Sequence, residues 1–163
     1  QIHWAPVLFV RISKAGKCIG KKFASRYYDS FSYGALLYCV ADGDMNVAFS
    51  SCADHTSLLP APSHSVEELD IETNVFEVQK DGELIFGFPK VNYARMVPSG
   101  GELLKEMIED AICKASKLTS IRIGDYMAVE LTPVCPLASR EEGEASFKAT
   151  FCENGLYDLK LIF

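Results

Sequence analysis

The sequence lacks several features that would each indicate a class of function. Its 163 residues contain no apolar stretch long enough to cross a bilayer, so no membrane span is expected. No block of like charge occurs either, because 16 Lys and Arg are interspersed with 22 Asp and Glu, for a net charge of −6. Dedicated nucleic-acid-binding domains are more often basic or carry a basic stripe. We therefore expect one soluble globular domain with neither a membrane nor a nucleic acid as partner.

The six cysteines include no closely spaced pair, since the nearest two, Cys39 and Cys52, are thirteen residues apart. This spacing excludes the C-x-x-C pattern of zinc knuckles and redox sites. Several cysteines lie in apolar runs, which predicts reduced, buried thiols in a cytoplasmic protein. No two of the three histidines lie one helical turn apart, so a histidine-based metal site is not expected.

Patterns typical of β-strands dominate the chain. Residues 7–12 form a continuous β-prone run, as in a strand buried on both faces. A second apolar run covers residues 34–41, and a third strand is expected over residues 124–131. Residues 71–79 and 83–88 flank Asp81-Gly82, which predicts a β-hairpin.

Two alternating apolar segments close the chain and predict a final hairpin. A three-residue turn over 153–155, with its glycine in the left-handed conformation, would pair Phe151 with Tyr157 and Phe147 with Leu161. This register keeps apolar residues on one face of the hairpin.

Two helices are expected. Phe23, Tyr27 and Phe31 follow a helical spacing, which predicts a short amphipathic helix over residues 21–31. Residues 99–102 form a capping box, and an apolar stripe follows it up to Ala115. The patterns together predict a mainly β domain of the α+β class with two helices.

The order of these elements resembles the catalytic domain of the fumarylacetoacetate hydrolase (FAH) superfamily in its small single-domain bacterial form. Residues 2–12 look like the family strand that begins near Ile-His-Tyr-Glu-x-Glu-Leu, and residues 118–125 look like its "leucine-Thr…Gly-Asp" turn. Thr132-Pro133 stands where the family has Gly-Thr-Pro, and the resemblance spans nearly the whole chain. It implies one domain over 1–163, built as a layered mixed β-sheet with two peripheral helices.

The resemblance also implies a function. Family members are usually homodimers that cleave C–C bonds, or isomerise or decarboxylate small oxo-acids. They use a Mg²⁺, Mn²⁺ or Ca²⁺ ion held by a Glu-x-Glu pair and an Asp. Alternate residues of a strand share a face, so the pair converges on one ion, which stabilises developing enolate charge.

The positions that match these ligands carry no carboxylate in this sequence. They are Ala5 and Val7 for the Glu-x-Glu pair and Leu36 for the Asp. The family's assisting lysine would fall within residues 50–54, which contain no Lys. Thr132 is the polar cleft residue that remains. We therefore expect that the metal site is lost and that no cofactor is bound.

The leading hypothesis is a non-catalytic homologue with a structural or small-ligand-binding role, the expected ligand being a small oxo-acid. A divergent hydrolase, isomerase or decarboxylase with a relocated site is the alternative. Asp42 and Asp44 could supply such a site, although Asp-Gly is also common in solvated turns. A third hypothesis is a partner that forms a heterodimer with a catalytic paralogue.

The resemblance bears on the start of the sequence as well. Small family members carry a further segment ahead of the strand that contains His3, and that segment contributes to the cleft. We expect this chain to lack it, and the first residue, Gln1, leaves open whether the natural chain extends upstream.

Overall fold

The fold is mainly β, as predicted, with two sheets and two helices in the described part of the chain. The computed structural model describes residues 1–40, 54–69, 74–88 and 101–163. The elements are β1 Ile2–Ile12, α1 Lys21–Ala24, β2 Tyr28–Cys39, β3 Ser57–Leu58, β4 His64–Ser65, β5 Phe76–Lys80, β6 Glu83–Phe88, α2 Gly101–Leu118, β7 Tyr126–Glu130, β8 Cys135–Ala138, β9 Glu144–Phe151 and β10 Asn154–Ile162. Neither helix combines the length and apolarity that crossing a membrane requires.

Strand β1 forms the centre of the first sheet. It pairs with β2 along its whole length, and β7 and β8 share its other edge. Strands β3 and β4 pair with the far side of β2. Within residues 7–12, the predicted burial on both faces is confirmed for every residue except Arg11, which is half-buried, and residues 4–6 are buried as well.

The second sheet has the strand order β10-β9-β5-β6 and covers one face of β1. Trp4, Leu8 and Val10 point to this side and belong to the main core. Tyr33 of β2 stacks on Phe76 of β5 with ring centroids 5.0 Å apart. All strand pairs within the described ranges are antiparallel, whereas the resemblance implied a mixed sheet.

The predicted helix over residues 21–31 is wrong beyond Ala24. The chain makes a single helical turn and enters β2 at Tyr28. Pairing with β1 along the length of β2 outweighs the weak local helical spacing, and it buries Phe31 completely in the core. Phe23 stays 43% exposed, so the expected apolar helix face does not exist.

Helix α2 agrees with its prediction. It begins at Gly101, although the first two residues of the predicted capping box lie outside the described residues. Leu104 and Ile108 of the expected stripe are buried, and Ile112, which was not part of it, is buried as well. Lys21 of α1 makes an ion pair with Asp110 at 3.0 Å, which joins the two helices at the surface.

The Asp81-Gly82 hairpin is confirmed, with both residues at positive φ. The turn and register predicted for the closing hairpin are wrong. Cys152 and Glu153 adopt φ of 48° and 68° and form a two-residue turn, so Phe147 lies opposite Leu159. A bulge after Gly155 absorbs the extra residue. Because the register differs from the prediction by two residues, the apolar side chains keep their face.

The burial predicted for the cysteines is also wrong. Cys18, Cys39, Cys135 and Cys152 are exposed and Cys113 is half-buried, while Cys52 lies outside the described residues. The apolar runs that suggested burial end at strand termini and turns, where a side chain can point to solvent.

Gly34 of β2 occupies a position that has no room for a side chain. A Cβ atom there would lie 2.1 Å from the Leu58 carbonyl oxygen and 2.8 Å from Cε2 of Phe9. The oxygen belongs to the backbone of β3 and the ring is buried, so neither neighbour can move away cheaply.

We expect Gly34→Ala to lower the free energy of unfolding by about 2–3 kcal/mol, because overpacking forces strand and ring apart. Urea denaturation would measure the change. Gly155→Ala is the matched control, since a Cβ atom added at Gly155 would meet no described atom within 4 Å. That control should shift stability by less than about 0.5 kcal/mol. Equal losses in both variants would contradict the steric explanation.

Candidate functional site

The three positions matched to the family's metal ligands meet on one face of the first sheet. Ala5 lies directly opposite Leu36 in the β1–β2 ladder, so their side chains point to the same side. Val7 is two residues along β1 from Ala5 and shares that side. The structure therefore brings Ala5, Val7 and Leu36 together, on the face of β1 opposite to Trp4.

Aromatic and aliphatic side chains surround these positions. Ala5 and Val7 are fully buried, and they form one cluster with Phe9 and Tyr38. Leu36, Ala128 and Val134 pack against the edge of this cluster. The absence of a Cβ at Gly34 lets the Phe9 ring approach β2 closely. This face is consequently a small second core, which we call the β1 outer core.

The residues of the β1 outer core do not fit a divalent cation. Mg²⁺, Mn²⁺ and Ca²⁺ take oxygen ligands, mainly carboxylates, and Ala, Val and Leu side chains offer none. Elsewhere in the described ranges, no group of three or more His, Cys, Asp and Glu residues is placed to hold a metal ion. No chemical step through a metal can therefore be assigned to Ala5, Val7 and Leu36.

A tyrosine–carboxylate pair lies at the rim of the β1 outer core. The Tyr38 hydroxyl donates a hydrogen bond to Oε1 of Glu130 at 3.0 Å. Burial, and next the hydrogen bond to Glu130, raise the pKa of Tyr38 to about 12. Tyr38 is therefore a neutral hydrogen-bond donor at physiological pH. The pair can orient a polar group by hydrogen bonding, but the neutral tyrosine does not act as a general base.

His3 faces Tyr38 across the β1–β2 ladder. Its Nδ1 atom is buried and has no hydrogen-bond partner among the residues that the structure describes. Most buried polar atoms in proteins are hydrogen-bonded, so this nitrogen is an exception. Together with Tyr38 and Glu130, it makes this end of β1 the polar end of an otherwise apolar face.

Thr132 lines a different cavity, of about 300 Å³. The cavity wall includes Trp4, which lies on the opposite face of β1 from Ala5 and Val7, and also Phe86 and Leu137. The Thr132 hydroxyl donates to the Pro133 carbonyl oxygen at 3.3 Å. Thr132 is thus associated with this cavity, which we call the Thr132 cavity.

Lys80 provides a cationic group at the Thr132 cavity. Its ammonium donates to the Leu137 carbonyl oxygen at 2.8 Å and makes an ion pair with Glu142. The hydrogen bond from Lys80, followed by that from the Ser139 backbone, lowers the pKa of Glu142. An anionic ligand at this cavity would have to share Lys80 with Glu142.

Glu130 is the site residue that the sequence reasoning missed. It occupies the last position of β7 and faces Val7 across the β1–β7 ladder. Glu130 is two residues from Ala128 in β7, so it shares the face on which Ala128 packs against the β1 outer core. The two-residue spacing between Ala128 and Glu130 is visible in the sequence, but it indicates this position only once β7 is known to pair with β1.

The speculative site residues Asp42 and Asp44 lie outside the described residues. Asp54 and His55, the next Asp and His along the chain, lie in the turn before β3.

Solved structures share this fold. Maleylpyruvate hydrolase from Sphingobium sp. SYK-6 superposes on 99% of this chain and 55% of its own, with a TM-score of 0.64 and 15% identity. Fumarylpyruvate hydrolase from Pseudomonas aeruginosa, solved with Mn²⁺ and pyruvate, covers 99% and 65%, with a TM-score of 0.66 and 15% identity. A protein from Yersinia pestis CO92 assigned to the FAH family covers 95% and 71%, with a TM-score of 0.61 and 16% identity.

The fold of this chain is therefore that of the FAH superfamily, as the resemblance implied. At these identities the likeness concerns the fold alone. The chain spans little more than half the length of the Sphingobium enzyme. No family model matches the sequence, and no curated protein matches it.

The raised pKa of Tyr38 predicts how the tyrosine absorbance and the stability of the protein depend on pH. In a difference titration of the unaltered chain against Tyr38→Phe, the absorbance of the ionising tyrosine should appear near pH 12. Because the folded-state pKa lies above that of the unfolded chain, Tyr38 contributes stability that is complete below about pH 10. That contribution should be lost as the pH rises through about 12.

Glu130→Gln should lower this pKa without returning it to the ordinary value, because burial is the larger cause and remains. The exposed turn residue Glu153 supplies the control, and Glu153→Gln should leave the titration unchanged. An unaltered Tyr38 titration in Glu130→Gln would contradict the pairing.

Proposed function

We propose that this chain is a non-catalytic protein of the FAH fold, which has lost the divalent metal and serves as a structural subunit. The observation that carries the proposal is the burial of the matched ligand positions. Ala5 and Val7 are fully buried, and Phe9 and Tyr38 close over the same face. The cleft side of β1 is thus filled by side chains.

The physical argument follows from the energetics of burial. A carboxylate at position 5 or 7 would be taken completely out of water, which is costly unless a cation or donors compensate. Apolar residues at the same positions contribute packing and burial instead. A scaffold that no longer binds the metal is therefore stabilised by Ala5, Val7 and Leu36.

A second role, binding of a small oxo-acid, is supported by the Thr132 cavity. Its volume of about 300 Å³ accommodates a pyruvate-sized molecule. Lys80 offers a positive charge for a carboxylate, and Thr132 offers a hydroxyl. The remaining wall is mostly apolar, which suits a ligand with a methyl or methylene group.

We further propose that the subunit forms a homodimer, with a heterodimer of a catalytic paralogue as the alternative, and that it resides in the cytoplasm as a single domain. Free thiols at Cys18, Cys39, Cys113 and Cys135 support a reducing compartment.

The proposal of metal loss is tested by calorimetric titration with Mn²⁺, for which we expect no saturable binding. A variant with Ala5→Glu, Val7→Glu and Leu36→Asp should lose at least about 3 kcal/mol of stability, because the new carboxylates are buried without partners. Mn²⁺ should restore part of that loss in this variant. The control Tyr126→Glu, at a 43% exposed position of β7, should be close to neutral in both conditions.

Stoichiometric binding of Mn²⁺ by the unaltered chain, with turnover of an acylpyruvate, would overturn the proposal. If that turnover fell on Asp42→Ala or Asp44→Ala, a divergent enzyme with a relocated site would replace it.

The ligand-binding role is tested by fluorescence, because Trp4 is the single tryptophan of the sequence and lines the Thr132 cavity. Pyruvate should quench this fluorescence saturably. Thr132→Val should weaken binding about tenfold, as expected for the loss of one hydrogen bond. The exposed residue Thr119 provides the control, and Thr119→Val should leave the affinity unchanged. Quenching that never saturates, or that is identical in both variants, would exclude the cavity as the site.

A further inference from the structure

Strand β10 is an edge strand of the second sheet in the described part of the chain. It pairs with β9 on one side, and β9 in turn pairs with β5. No described strand pairs with the other side of β10, where a row of backbone N–H and C=O groups lies. At nine residues it is long for an edge strand, and long edges are templates for pairing with another chain.

The side chains of β10 alternate in character. Tyr157, Leu159 and Leu161 are half-buried and pack against the main core. Asp158 and Lys160 are exposed on the opposite face. The strand thus carries an apolar side continuous with the core and a charged side with one acid and one base.

We propose that β10 is the docking surface for a second copy of this chain, and that the two β10 strands pair antiparallel about a two-fold axis at Leu159. In that register, Asp158 of each copy lies opposite Lys160 of the other. On the apolar side, Leu159 meets its own counterpart and Tyr157 meets Leu161. Directly opposite residues in an antiparallel pair interact across the strands, so both faces are complementary.

The charges on β9 extend this complementarity. Asp158 makes an ion pair with Lys148 at 3.3 Å, and Lys160 makes one with Glu144 at 2.7 Å. In the dimer, a row of side chains would run Lys148, Asp158, then Lys160 and Glu144 of the second copy. Each charge in the row then has neighbours of opposite sign, across a continuous sheet to which each copy contributes its four strands.

Neighbouring registers lack this match. An axis at Asp158 would place two aspartates opposite each other, and an axis at Lys160 would place two lysines opposite each other. Like charges directly opposite are destabilising. Moving the axis to Tyr157 or Leu161 leaves Asp158 and Lys160 without a charged partner. The axis at Leu159 is therefore the register that the sequence of β10 favours.

This inference rests on the homodimer in the proposed function and specifies its interface. It does not depend on the loss of the metal. If the chain binds no Mn²⁺ but stays monomeric, the proposed interface is wrong and the non-catalytic assignment stands. If the chain forms this dimer but binds Mn²⁺, the interface stands and the proposed loss of the metal is wrong.

Analytical ultracentrifugation of the 163-residue chain tests the interface, and we expect a dimer. In the Lys160→Asp variant, Asp158 of each copy would face an aspartate at position 160 of the other. In the Asp158→Lys variant, Lys160 of each copy would face a lysine at position 158 of the other. Each variant should weaken dimerisation about tenfold or more, since two attractive pairs become repulsive. Circular dichroism would establish that both variants remain folded.

The mixture of the two variants is the decisive measurement. One carries two acids on the edge and the other carries two bases, so a 1:1 mixture should form a heterodimer although each variant alone is monomeric. The control removes the ion pairs within each chain but keeps the charges of β10. Glu144→Ala with Lys148→Ala should therefore leave dimerisation within about threefold of the unaltered chain.

Three outcomes would overturn the interface. The unaltered chain could be monomeric, which would leave the edge to another segment or another protein. Dimerisation could survive both single variants, which would place the contact elsewhere. The mixture could remain monomeric, which would show that Asp158 and Lys160 do not face each other.

Discussion

The structure depends on one constraint, the burial of β1 on both faces. From Trp4 to Val10 every residue is buried, with one face against the second sheet and the other in the β1 outer core. A strand in that position can carry a charge only if something compensates it. The constraint links fold to function, because the family pattern would place two carboxylates at Ala5 and Val7 of this same strand.

The parts of the fold that could be predicted are those set by local patterns. The continuous β-prone run at residues 7–12 indicated burial on both faces, and the helical stripe that includes Leu104 and Ile108 indicated α2. The Asp81-Gly82 turn followed from its requirement for positive φ. In each case the signal lies within a few residues, so no knowledge of the sheet order was needed.

The parts that escaped prediction depend on pairing between distant strands. Phe23, Tyr27 and Phe31 have a helical spacing, but Phe31 lies in β2, because β1 offers a full ladder of backbone hydrogen bonds. The turn at Cys152 and Glu153 places two non-glycine residues at positive φ, and a bulge rather than a glycine turn adjusts the register. Glu130 and Tyr38 are 92 residues apart, so their contact could not be read from either neighbourhood.

The contrast between Glu130 and Ala5 shows which positions on this face of β1 can hold a carboxylate. Glu130 lies at the end of β7, is exposed, and accepts a hydrogen bond from Tyr38, so its charge keeps water and a donor. Position 5 is fully buried in the middle of β1, opposite Leu36. A carboxylate there would have neither water nor a donor, and in the absence of a cation it would be the more destabilising of the two. The distribution of acid and apolar residues on this face therefore follows the access of each position to water.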